Sequence, residues 1–156
     1  ILPEPMIKSV IQYAEDTYIN PSYLNHAIVY YFIKNGFIDE HVRFLKDLYS
    51  KRLKALLSAL DNNFKGRGKW SNPQGGFFVG LWLNINAGPT LLEKAREKGI
   101  QLTDGRGFFV NGGENFVRLP FCALNEEEIQ QGIVILSRLS KSLHSLDSKK
   151  AMMGEA

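Results

Sequence analysis

Apolar residues recur at helical spacing through the first sixty positions. Ile7, Val10, Ile11, Ala14 and Tyr18 stand three or four apart behind Pro3 and Pro5, a spacing and an entry that predict a helix. Asn20-Pro21-Ser22 predicts a break. Tyr23, Leu24, Ala27, Ile28, Tyr31 and Phe32 predict a second helix, closed by Asn35-Gly36. Val42, Leu45, Leu48, Tyr49, Leu56 and Leu60 line one side of a long third helix, for which Asp39 is the expected cap. Arg43, Lys46, Lys51 and Lys54 fall on its opposite, solvated side. Asp61-Asn62-Asn63 and Gly66-Arg67-Gly68 form its expected exit loop.

The period changes after Lys69. Gly76 to Asn84 is short, aromatic and β-branched, and predicts a strand. Gly88-Pro89 opens a helix with Leu91, Leu92 and Ala95, stopped by Gly99. A short strand is expected at Ile100-Gln101-Leu102. Turns follow at Asp104 to Gly107, and at Asn111-Gly112-Gly113 as a hairpin-like turn. A central strand is expected from Phe116 to Phe121, with Pro120 marking its end because proline donates no ladder hydrogen bond. Asn125-Glu126-Glu127-Glu128 has the form of a capping box, with acids at the positive end of the helix dipole. Ile129, Ile133, Leu136, Leu139 and Leu143 give the last helix its stripe.

The expected architecture is α+β: a small mixed sheet with helices packed on one face, preceded by a long-helix arm. Residues 1–63 are the helical arm, 64–146 the small α/β domain and 147–156 a frayed polar tail.

Composition narrows the chemistry. The chain has 156 residues, 44% hydrophobic and 22% charged, with net charge +3. That is ordinary for a globular domain and too mildly basic to require a nucleic-acid partner. The one cysteine, Cys122, forms no internal disulfide and no multi-cysteine zinc site, and fits a reducing, cytoplasmic setting. No apolar run reaches the length of a membrane span. Ile1 to Pro5 has neither an initiator methionine nor a signal-peptide pattern, so the chain is expected to be cut from something longer.

No catalytic constellation stands by itself. His26, His41 and His144 lie on predicted helices without ligand spacing, and no metal site is expected. Cys122 precedes a helix start, which favours a thiolate, but no histidine lies near it in sequence. Gly105-Arg106-Gly107 and Gly112-Gly113 do not match a phosphate-binding glycine pattern and read as turns. Arg106-Gly107-Phe108-Phe109-Val110 resembles the aromatic strand of an RNA-recognition motif. However, Phe109 occupies the position of that motif's small residue, and no second aromatic strand accompanies it.

Arg118 stands apart. A charge among Phe116, Val117, Leu119 and Phe121 is costly unless an anion meets it. Two partners suggest themselves: a structural carboxylate such as Glu114, or a ligand carboxylate gripped by the planar guanidinium.

Taken in order, several motifs resemble the C-terminal small domain of the fold-type I, class I/II pyridoxal-phosphate-dependent aminotransferases. Pro73-Gln74-Gly75-Gly76-Phe77-Phe78 resembles the family's P-x-G-G-x-F entry. Leu91 to Ile100 resembles the helix and strand that follow. Asp104 to Phe109 stands where the family has P-G-x-x-F, with Asp104 in place of the proline. Asn115-Phe116-Val117-Arg118-Leu119 resembles N-x-x-R-L, and Asn125 to Ile129 the terminal helix. Pro21 to Asn25, Asp39 to Arg43, Tyr49 and Arg52 resemble the 2-aminoadipate aminotransferase and MocR-like subgroup.

The resemblance implies amino-group transfer from an amino acid to a 2-oxo acid, with Arg118 binding the substrate carboxylate. It also implies a pyridoxal 5′-phosphate cofactor and a homodimer in the full-length parent. The family's Ser-x-Ser-Lys segment, which carries the Schiff-base lysine, is absent, and Lys8 does not match it. The isolated chain is therefore expected to hold no cofactor and to be inactive. The alternative is the effector-binding part of a MocR-like transcriptional regulator, followed by an RNA-binding module.

Overall fold

The computed structural model describes residues 2–18, 22–85 and 88–153. Among the described residues, five helices and three strands follow in the order α1 (Glu4–Thr17), α2 (Tyr23–Lys34), α3 (Phe37–Phe64), β1 (Gly68–Trp70), β2 (Phe78–Leu83), α4 (Gly88–Glu97), β3 (Phe116–Pro120) and α5 (Glu126–Met153). A 3₁₀ turn, Gly105–Phe108, precedes β3. The fold is α+β, as expected. Internal contacts divide the chain within α3 into two compact units, Ile1–Leu45 and Lys46–Ala156.

In the first unit, α1 enters behind Pro3, and α2 is capped by Ser22, whose Oγ accepts the Asn25 N–H. The Asn20-Pro21 break lies outside the described residues. Asn35 and Gly36, with φ of 75°, end α2, a positive φ that glycine adopts without strain. Neither α1 nor α2 buries a residue.

In the second unit one cluster forms the core. Leu56, Leu60 and Phe64 of α3, Leu91 of α4, and Ile129, Ile133, Leu136 and Leu143 of α5 meet Val79, Leu81 and Leu83 of β2 and Val117 and Leu119 of β3. The helices thus cover one face of the sheet. Alternation along β2 and β3 sends every second side chain to that face. Arg67 fastens α3 to α5. It lies 5.2 Å from the Phe64 ring centroid and donates to Ser137 Oγ at 2.8 Å, and that hydroxyl donates to the Asn63 carbonyl. The capping box of α5 forms as expected. Glu128 N–H donates to Asn125 Oδ1, and Asn125 N–H to Glu128 Oε2, both at 2.9 Å.

The structure corrects several local expectations. β2, not β3, is the central strand, because it pairs with β1 on one side and β3 on the other. Both pairings are antiparallel, so the described sheet is not mixed. Ile100–Leu102 is not a strand. Gly99 takes φ of 78°, and Ile100 N–H turns back to the Ala95 carbonyl at 2.8 Å. The backbone is thereby committed to closing α4. Asp39 is not a cap, since α3 begins at Phe37 and Asp39 lies in its first turn. Asp61–Asn63 belong to the helix rather than to a loop. Asn111–Gly113 turns the chain without joining a hairpin. α5 runs on to Met153, so the stretch expected to fray is helical as far as the description extends.

Candidate functional site

The sheet face away from the helices is aromatic. β2 presents Phe78, Gly80 and Trp82 there, and β3 presents Phe116, Arg118 and Pro120, since cross-strand partners share a face. The register sets Gly80 against Arg118 and Trp82 against Phe116. The Trp82 and Phe116 rings lie 5.0 Å apart and lean over Gly80, where an added Cβ would stand 2.9 Å from Phe116 Cε2. Glycine leaves the room for both rings. Asn115 fixes the entry to β3, as its Nδ2 donates to the Leu83 carbonyl and its own carbonyl accepts the Leu83 N–H.

The loop before β3 adds two more rings. Asp104 opens the 3₁₀ turn by accepting the Arg106 N–H at 3.0 Å. The Arg106 guanidinium grips the same carboxylate, with Nη2 2.6 Å from Oδ2. The hydrogen bonds from Arg106 hold the Asp104 carboxyl below its ordinary range, and Asp104 in turn raises Arg106. The Asp104 charge is therefore balanced within its own turn. The turn lies close against β3. A Cβ on Gly105 would run into the carbonyl oxygens of Phe116 and Gly113, and one on Gly113 would meet the Phe109 ring and the Gly105 carbonyl. Through this close approach Phe108 and Phe109 reach Phe116, at 5.9 Å and 5.1 Å in edge-on geometry.

Arg118 sits half-buried in this network. Its guanidinium carbon lies 4.1 Å from the Phe78 ring centroid and 4.4 Å from that of Phe108. Phe78 stands opposite Pro120, one way along β3, and Phe108 leans on Phe116, the other way, so the rings flank the cation from two sides. Glu114 does not pair with it. Among the described residues the Arg118 guanidinium forms neither an ion pair nor a hydrogen bond. What the arrangement can do chemically is receive an anion: a cation, ordered by rings, with its N–H donors unspent.

The other candidates do not join it. His41 stacks on Phe44 and meets Phe32 edge-on within the first unit. Cys122 is a free, half-buried cysteine whose carbonyl accepts Arg52 Nη1 at 2.6 Å. No group of three or more His, Cys, Asp or Glu among the described residues is arranged to hold a metal. An RNA-recognition motif would need Phe108 to Val110 in a strand, whereas Phe108 ends a 3₁₀ turn and Val110 lies outside the sheet. No described helix is long and apolar enough to cross a membrane. Sequence alone missed the contacts of Phe78 and Phe108 with Arg118. The signal available was period-two alternation, which puts Phe78 and Arg118 on one face.

No family model matches the chain. A 2-aminoadipate transaminase of Thermus thermophilus is 31% identical over 148 residues, which are 92% of this chain and 36% of that protein. An HTH-type transcriptional regulator of Bacillus subtilis, YdfD, is 30% identical over 146 residues, 92% of this chain and 30% of the regulator. The crystal structure of an α-aminoadipate aminotransferase from Thermus thermophilus, complexed with N-(5′-phosphopyridoxyl)-L-leucine, matches with a TM-score of 0.83 at 28% identity, over 94% of this chain and 38% of that one. The chain thus spans about a third of the length of the curated relatives it matches.

Proposed function

We propose, from the premise that the homologues of this chain are aminotransferases and HTH-type regulators, that it is the C-terminal, substrate-gripping part of a pyridoxal-phosphate-dependent aminotransferase. The observation that carries this is Arg118, flanked by Phe78 and Phe108 and without a carboxylate partner among the described residues. In the whole protein an amino group passes from an amino acid to a 2-oxo acid, and Arg118 holds the substrate carboxylate through two parallel hydrogen bonds. Such a grip fixes orientation as well as position. The whole protein is a cytoplasmic homodimer.

The residues around Arg118 do not fit the cofactor. When bound, pyridoxal phosphate supplies the electron sink, but its covalent attachment needs a lysine. None of the side chains in the network (Phe78, Trp82, Phe108, Phe109, Phe116, Arg118) is one. The same reading extends to the 156-residue chain alone: without a Ser-x-Ser-Lys segment it does not transaminate. Pyridoxal phosphate mixed with it, then treated with borohydride, leaves no label confined to a single lysine. Such a label, lost on substituting that lysine, would contradict the proposal.

The test of the grip is Arg118→Lys in a transaminating protein that carries this segment. A point charge does not replace a planar fork, so KM for the amino acid rises and kcat/KM falls by about 10²-fold. An unchanged KM refutes the assignment. The relative YdfD favours a second reading, in which the same grip belongs to the effector-binding part of a regulator. An amino acid that alters DNA binding through Arg118, with no turnover, would select it.

A further inference from the structure

Arginines in this chain are committed in different ways. The Arg106 guanidinium is spent on Asp104, Arg52 donates to the Cys122 carbonyl, and Arg67 to Ser137. Arg118 instead meets two rings, and a ring face takes up no N–H donor in the way a carboxylate does. The contacts therefore order the cation while leaving its donors for a ligand. An arginine free in water must give up its rotamer freedom when it binds. Here that ordering precedes binding, and the half-buried setting of Arg118 strengthens its hold on an anion.

The geometry points to Phe78 and Phe108 as positioning residues that keep the Arg118 guanidinium ordered for a carboxylate ligand. Gly105 and Gly113 belong to the same device, since their missing side chains let the turn seat Phe108. This rests on the proposed carboxylate role of Arg118. Neither phenylalanine touches the reacting atoms; both act through Arg118.

The test uses the full chain, with sodium propionate as the carboxylate probe and propionamide as its uncharged match. Binding and side-chain order are read from the Arg118 Nε–H NMR signal and its ¹⁵N relaxation. In the native chain propionate shifts that signal and propionamide does not. Phe78→Leu and Phe108→Leu each weaken propionate binding about three- to tenfold, the size of a partly desolvated cation–π contact, and each lowers Arg118 Nε order. Phe108→Tyr and Phe108→Trp, which keep a ring, stay within about twofold of native. A filler of volume alone would be satisfied by leucine, so this split separates positioning from packing. Should a leucine variant fail to fold, Phe78→Met and Phe108→Met take its place. Binding that depends on Arg118 yet ignores the rings overturns the positioning role and leaves the carboxylate role standing. Propionate binding that is undetectable, or equal in Arg118→Gln, overturns both.

Discussion

The two units treat their apolar residues in opposite ways. In the second, Leu60, Val79, Leu81 and Leu91 are wholly buried, and α3, α4 and α5 close over one face of the sheet. In the first, α1 and α2 bury nothing, and Tyr23, Leu24, Tyr30 and Tyr31 are all more than 60% exposed. The seven residues Ala27–Ile33 are apolar without interruption and so point to every side of α2. Such a helix is ordinarily a buried one. Helical form and burial are therefore separate outcomes. Capping and spacing suffice to shape α2, whereas a core needs residues far apart in sequence to meet.

The sharpest probe of this contrast is a matched pair of leucines. Leu60→Ala, at a fully buried position, lowers unfolding free energy in urea by about 2–5 kcal/mol. Leu24→Ala, at 67% exposure, changes it by less than about 0.5 kcal/mol. Equal costs would break the comparison, because they would mean that α2 is covered in solution. Next in size is Gly105→Ala, which forces the turn off β3 and costs about 1–3 kcal/mol. Its near-UV circular dichroism changes while the helical far-UV signal persists, since the damage lies on the aromatic face. Unaltered near-UV spectra would mean that the turn does not seat those rings. Asn125→Ala removes the Glu128 N–H acceptor at the start of α5 and costs about 1 kcal/mol by urea titration.

The smallest effect is the pH response of the 104–106 pair. The folded Asp104 carboxyl titrates below its ordinary value, first because Arg106 donates hydrogen bonds to it. Its contribution is therefore complete above the unfolded carboxyl pKa and disappears as pH falls through the lower, folded one. A carbon-detected NMR titration should give a depressed midpoint that Arg106→Gln moves upward. A midpoint indifferent to Arg106→Gln would show that the pair is not formed in solution.

Much of this was legible along the chain. The α5 capping box, the Gly99 stop, the stripe of α5 and the β2 and β3 segments follow from signals a few residues long. β1 was not legible, because three residues carry no periodicity and Gly68–Trp70 becomes a strand only by pairing with Leu81–Leu83. Ile100–Leu102 misled for the converse reason. It has strand-like residues, but Ile100 N–H is already committed to the Ala95 carbonyl. Asp39 misled because a good capping residue two places inside a helix serves the first turn equally well.

By itself the sequence determined the helices, the alternation of β2 and β3, and the presence of one arginine in an apolar strand. Only the assembled fold set which strand is central, that Glu114 stays away from Arg118, and which rings flank that arginine. The physical reason is range. Periods, caps and positive-φ glycines act within a turn or a strand. The Arg118 site is assembled from β2, β3 and the 3₁₀ turn through clearances at Gly80, Gly105 and Gly113, which have meaning only once the segments that need the space have met.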